Sequence, residues 1–133
     1  MTNLFVYGSL MNQEVWFPLL QTKVVSIEAR LSGYYRESLQ GCTYPAIRIQ
    51  ADSSVDGLVL LDLSAFQIEV LDSFEGELYQ RESVVVNSVS DDSLECETYS
   101  LKPSYYHLMS GKAWDNNTFR KQHMYEFINE FSA

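Results

Sequence analysis

"VDGLVLLDLSAFQIEVLDSFEGELYQRESVVV", residues 55–86, passes through three periodicities in succession. Residues 55–63 are rich in Val and Leu and read as a strand packed on a pleated surface. At Ser64 the pattern changes. A Ser followed three residues later by Gln67 is the signature of a capping box, in which hydroxyl and carboxamide satisfy backbone N–H groups of the first helical turn. Behind it Ile68, Leu71 and Phe74 recur at helical spacing, with Phe66 and Val70 four apart, so 64–74 is an amphipathic helix of about three turns that stops near Gly76. From Tyr79 to Val89 the alternation returns to a period of two, and a second strand follows.

The same signals extend outward in both directions. "CTYPAIRIQ" (42–50) reads as a strand, and the polar "ADSS" (51–54) between it and 55–63 predicts a hairpin turn. "VVSIEARLSGYY" (24–35) alternates as one strand, bulged at Gly33. Leu4–Tyr7 is a short strand, and "MNQEVWFPLL" (11–20) has a helical turn's spacing despite Pro18. Downstream, "SDD" turns the chain and "LECETYSL" (94–101) pairs back on 79–89. Asp115 or Asn116 caps a last helix with a stripe of Phe119, Met124, Phe127, Ile128 and Phe131. No repeat or linker divides the sequence, so residues 1–133 read as a single α+β domain whose sheet curls into a small barrel with flanking helices.

Composition removes several classes of function. Nine basic against eighteen acidic residues leave a net charge of −9, which opposes nucleic-acid backbones and anionic membranes as partners. Cys42 and Cys96 lack CxxC spacing and read as free thiols in a reducing compartment. No apolar run reaches the ~20 residues that span a bilayer, and the start "MTNLFVYGSL" lacks a basic segment followed by a long apolar one, so the expected location is cytoplasmic. His107 and His123 form no ligand pair, and no metal or other cofactor is expected. "YGSL" is neither a phosphate loop nor a GxSxG elbow.

Two features remain that could carry chemistry. Glu75 stands where the helix ends, between Phe74 and Gly76. There the negative end of the helix dipole and an apolar neighbour both disfavour its charged form and raise its pKa, as a proton-shuttling carboxyl requires. A solvated helix-end carboxylate is the competing reading, and Asp72 and Glu77 compete for the same role on composition alone. The second feature is "YGSL" (7–10), a Gly-Ser turn at a strand end that can aim successive backbone N–H groups at a carboxylate or an oxyanion, or can be an ordinary turn.

"LFVYGSLM" (4–11), "ARLSGYYRESLQGCTYPAIRIQ" (29–50) and "VDGLVLLDLS" with "LDSFEGELYQRESVVV" (55–64 and 71–86), in this order, resemble the gamma-glutamylcyclotransferase-like family, in particular its plant avirulence-induced branch and bacterial relatives. The resemblance implies a small mixed β-barrel with a cavity at one end. It implies a reaction as well: intramolecular aminolysis of a small-molecule γ-glutamyl amine or γ-glutamyl amino acid, releasing 5-oxoproline and a free amine. Carried onto this chain, the family's substrate loop falls on Tyr7, Gly8, Ser9 and Leu10, and its acid/base glutamate on Glu75. Tyr79 and Arg81 follow in the same pattern; Tyr79 either orients the head group or, like Arg81, is structural. Two alternatives stand beside this expectation: a non-catalytic binding module on the same fold, and hydrolysis of a γ-glutamyl amide by Glu-activated water.

Overall fold

The computed structural model describes residues 1–132, with side chains through residue 130. In chain order the elements are β1 (Thr2–Val6), a 3-10 turn (Ser9–Met11), α1 (Gln13–Leu20), β2 (Ser26–Ser38), β3 (Pro45–Leu63), α2 (Ala65–Glu75), β4 (Tyr79–Ser88), β5 (Ser93–Leu101), a second 3-10 turn (Pro103–Leu108), α3 (Asn116–Gln122) and α4 (Met124–Ser132). The strands close a barrel in the order β1-β3-β2-β4-β5. Its seam is the parallel pair Leu4↔Glu97 and Phe5↔Thr98, whereas the other pairings are antiparallel, so the barrel is mixed.

The expected hairpin at 51–54 does not form. β3 is a single strand of 19 residues, and both of its halves pair with β2, from Ser26↔Leu60 to Ser38↔Pro45. The register shifts between Ser32↔Ser54 and Tyr34↔Ile49, where Gly33 has a φ of 84° and Asp52 a φ of 67°. The polar "ADSS" signal is therefore a bulge at a barrel corner, opposite the bulge expected at Gly33, because β2 is long enough to keep both halves of β3 paired. The last helix also departs from expectation. It breaks at His123 into α3 and α4; Asp115 Oδ2 caps α3 by accepting from the Thr118 amide at 3.0 Å. Phe119, Met124 and Phe127 are buried and Ile128 half-buried, while the side chain of Phe131 and residue Ala133 lie outside the described residues.

The capping box forms as its spacing requires. The Gln67 amide donates to Ser64 Oγ at 3.1 Å, and the Ser64 amide donates to Gln67 Oε1 at 2.9 Å. Such a cap contributes about 1 kcal/mol and fixes the phase of α2, hence the direction in which its last residue points.

Alternation on β1 divides the core in two. Phe5 and Tyr7 join Leu31, Ile47, Val59 and Val86, side chains that all come from the strands and the loop after β1. Leu4 and Val6 face the other way, into a layer shared with Leu71 of α2, Phe119 of α3 and Phe127 of α4. The chain that leaves β1 thus borders both cores. Among the described residues no helix is long and apolar enough to cross a membrane.

Candidate active site

All six residues singled out from the sequence line one cavity of about 260 Å³: Tyr7, Gly8, Ser9, Leu10, Glu75 and Tyr79. One wall is the loop after β1. Its path is held at Tyr7, whose hydroxyl donates to the Tyr99 carbonyl at 2.6 Å and whose own carbonyl accepts from Arg36 Nη1 at 2.8 Å. Gly8 is packed so closely on Pro45 that a Cβ there would sit 2.8 Å from the proline Cδ. Its glycine identity follows from close approach, since its φ of −127° is open to any residue. The carbonyls of Gly8 and Ser9 accept from the amides of Met11 and Asn12 at 2.9 and 3.1 Å, and the buried Asn12 side chain adds Nδ2 to Ser9 O at 3.0 Å. The N–H groups of Gly8, Ser9 and Leu10 donate to no backbone carbonyl among the described residues. Three successive lining residues thus keep unused backbone donors.

The end of α2 forms another part of the wall. Glu75 is its final residue, and Gly76, with φ 78°, turns the chain away toward β4. The glutamate is half-buried because part of its surface borders the cavity, yet protein encloses its carboxyl, and that burial pushes the pKa up to about 8. No described residue donates a hydrogen bond to it. The rise expected at this position is present, and its leading cause is desolvation by the surrounding fold.

The structure separates the three competing carboxylates. Asp72 accepts from Arg81 at 3.0 and 3.2 Å and from the Tyr99 hydroxyl at 2.7 Å. Burial opposes its charge, but these hydrogen bonds outweigh burial and hold its pKa below the usual value. Glu77 is exposed and does not line the cavity. Of the three, only Glu75 is both enclosed and without a cationic partner among the described residues.

Tyr79 lines the cavity with its ring, while its hydroxyl donates to the Pro45 carbonyl at 2.8 Å and so holds the proline that packs on Gly8. Burial first, then the charges of Tyr7 and Glu75, raise its pKa well above the usual tyrosine value; Tyr7 is raised by burial and by Glu75. Arg81 points away and links Asp72 to Glu97, the latter at 2.8 Å.

Several contributors escaped the sequence reading. Arg36 fixes the loop through Tyr7, and Tyr44, Tyr99 and Phe127 complete the cavity wall. Nothing local marks Phe127, whose place in the wall follows from how α4 docks.

The geometry offers one carboxyl that exchanges its proton near neutrality and a loop of spare N–H donors, an arrangement suited to moving a proton beside a developing oxyanion. The family model described as gamma-glutamyl cyclotransferase, AIG2-like, matches residues 4–116. AIG2-like protein C of Arabidopsis thaliana is 34% identical over 127 residues, covering 95% of this chain and 73% of that protein. The solution structure of another Arabidopsis thaliana protein superposes with a TM-score of 0.76 at 29% identity, covering 98% of this chain and 87% of its own. A structure described as a gamma-glutamyl cyclotransferase shares the fold with a TM-score of 0.68 at 18% identity, over 78% of this chain and 73% of its own.

Proposed function

The chain belongs to the gamma-glutamyl cyclotransferase, AIG2-like family, and on that premise we propose that it cyclises the γ-glutamyl group of a γ-glutamyl amine or γ-glutamyl amino acid, releasing 5-oxoproline and the free amine. The observation that carries this reading is the enclosed Glu75 carboxyl lining the same cavity as the loop of Gly8, Ser9 and Leu10.

The substrate's α-ammonium is not nucleophilic until it loses a proton, and ionised Glu75 accepts it. The freed amine attacks the γ-carbonyl carbon, a C–N bond closes the five-membered ring, and the carbonyl oxygen takes the negative charge. Loop amides meet that charge. As the oxyanion collapses, the bond to the leaving nitrogen breaks and Glu75 returns its proton there; the restored carboxylate then takes the second proton of the ring nitrogen and hands it to the departing amine, which leaves as an ammonium, so that the lactam keeps one N–H, the carboxylate is regenerated and atoms balance. A pKa near 8 suits both halves of this exchange at neutral pH. Nucleophile and electrophile belong to one molecule, so much of the rate comes from holding a bent conformer, which a packed loop does well. Tyr79 serves this step at one remove, by holding Pro45 against Gly8.

The test is mass-spectrometric detection of 5-oxoproline after incubation with a panel of γ-glutamyl amines and γ-glutamyl dipeptides. Wild-type protein and Glu77→Gln form the product, and Glu75→Gln keeps its fold and does not. Free glutamate instead of 5-oxoproline would replace cyclisation by hydrolysis, and activity in Glu75→Gln would remove the proposed base.

A further inference from the structure

The cavity's polar groups can be counted against a substrate's. Tyr7, Tyr79 and Tyr99 have committed their hydroxyl protons to the Tyr99 carbonyl, the Pro45 carbonyl and Asp72, and the Tyr44 hydroxyl is within hydrogen-bonding reach of Cys42. These tyrosines present rings to the cavity, not donors. What remains is the Ser9 hydroxyl, the loop amides and Glu75. Among the described residues no Lys, Arg or His lines the cavity. A γ-glutamyl head group consumes this complement: its α-carboxylate and γ-carbonyl take the loop donors, and its ammonium takes Glu75. Nothing is left for a second charge of either sign.

The remainder of the wall is apolar. Tyr44 and Phe74 each meet Phe127 edge to face with centroids 6.0 Å apart, and Leu78 lies beside them in the lining. Phe127 belongs to α4, beyond residue 116 where the family match ends, whereas Tyr44, Phe74 and Leu78 lie within it.

Resting on the cyclotransferase reading, we propose that the leaving amine carries an uncharged apolar substituent, alkyl or aromatic, recognised by the Tyr44, Phe74 and Phe127 wall, and is not an amino acid or a diamine. A leaving amino acid brings a carboxylate with no donor to meet it, and a diamine brings a second ammonium with no free anion. Desolvating either charge without a partner costs far more than an apolar contact returns.

The experiment has two arms. In the first, kcat/KM for 5-oxoproline formation is measured with γ-glutamyl benzylamide, γ-glutamyl isoamylamide, γ-glutamyl alanine and the γ-glutamyl amide of lysine's ε-amine; the two apolar amides lead by about 100-fold. In the second, calorimetry measures binding of the same compounds to Glu75→Gln, which does not depend on turnover; the apolar amides again bind more tightly. Phe127→Leu, which keeps apolar bulk but loses the ring, raises KM for the benzylamide about tenfold more than it raises KM for the isoamylamide. Equal or tighter binding of γ-glutamyl alanine or the lysine compound overturns the inference while leaving cyclisation intact. Apolar selectivity in binding with no 5-oxoproline from any compound supports this recognition and overturns the reaction instead.

Discussion

Replacing Glu75 by Gln keeps the side chain's size and removes its charge, so the variant reports how much the fold resists ionising that carboxyl. The carboxyl's pKa rises from 4.5 to about 8 on burial, so the folded chain holds a proton that the unfolded chain releases. A raised folded-state pKa gives stability that is complete below the unfolded value and lost as pH climbs through the folded value. Between about pH 5 and about pH 8 the linkage integral comes to roughly 3.5 kcal/mol, at 1.36 kcal/mol per pH unit. Water entering the cavity screens part of this, so about 2 to 3 kcal/mol is the expected loss in wild type. The carboxamide of the variant does not titrate, and the other groups titrate alike in both proteins. Urea unfolding at a series of pH values therefore shows the two stabilities diverging in favour of Glu75→Gln as pH rises, with midpoints separating by about 1 to 2 M. Parallel curves would refute the enclosure of this carboxyl and with it the physical basis of its role as base.

The same ionisation appears in catalysis: kcat/KM rises with pH along a limb whose apparent pKa is near 8, and this limb is absent from whatever residual activity Glu75→Gln retains. Asp72 behaves in the opposite sense. Its pKa is lowered, so Asp72→Asn costs about 1 to 2 kcal/mol at neutral pH, by weakening the contacts to Arg81 and Tyr99; the difference from wild type shrinks as pH falls through the carboxylate range, which chemical denaturation can follow. Gly8→Ala forces Pro45 and the loop apart, because the new methyl lies 2.8 Å from the proline Cδ, and steady-state kinetics shows KM rising and kcat falling together.

Elements whose signals lie within a few residues of one another were readable from the sequence, and those set by distant partners were not. The capping box of Ser64 and Gln67, the stop at Gly76 and the bulge at Gly33 each follow from the local chemistry of hydroxyl, carboxamide or missing Cβ. "ADSS" misled for the complementary reason: polar residues relieve an unpaired backbone equally well in a hairpin turn and in a bulge, and only the length of β2 decides between them. The break at His123 likewise depends on how Phe119, Met124 and Phe127 reach the core from two short helices instead of one.

Glu75 shows how the same division governs the site. Its position is local, since a capped helix of fixed phase ending at a glycine puts that residue at the turn. Its acidity is not, because the shift comes from desolvation, and desolvation requires enclosure. That enclosure needs the loop tied down by Arg36 and the wall closed by Tyr44, Tyr99 and Phe127, residues that come from separate parts of the chain. A carboxyl made basic by tertiary packing is basic only while the packing persists. Trp114 packs its ring on Phe119 of α3 with centroids 5.7 Å apart and donates its indole N–H to the Thr43 carbonyl at 2.8 Å, and Phe119 in turn meets Phe127 of α4 at 5.4 Å; the remote substitution Trp114→Ala therefore loosens Phe127, lowers the pKa of Glu75 toward its ordinary value and moves the acid limb of kcat/KM to lower pH, without touching the cavity itself.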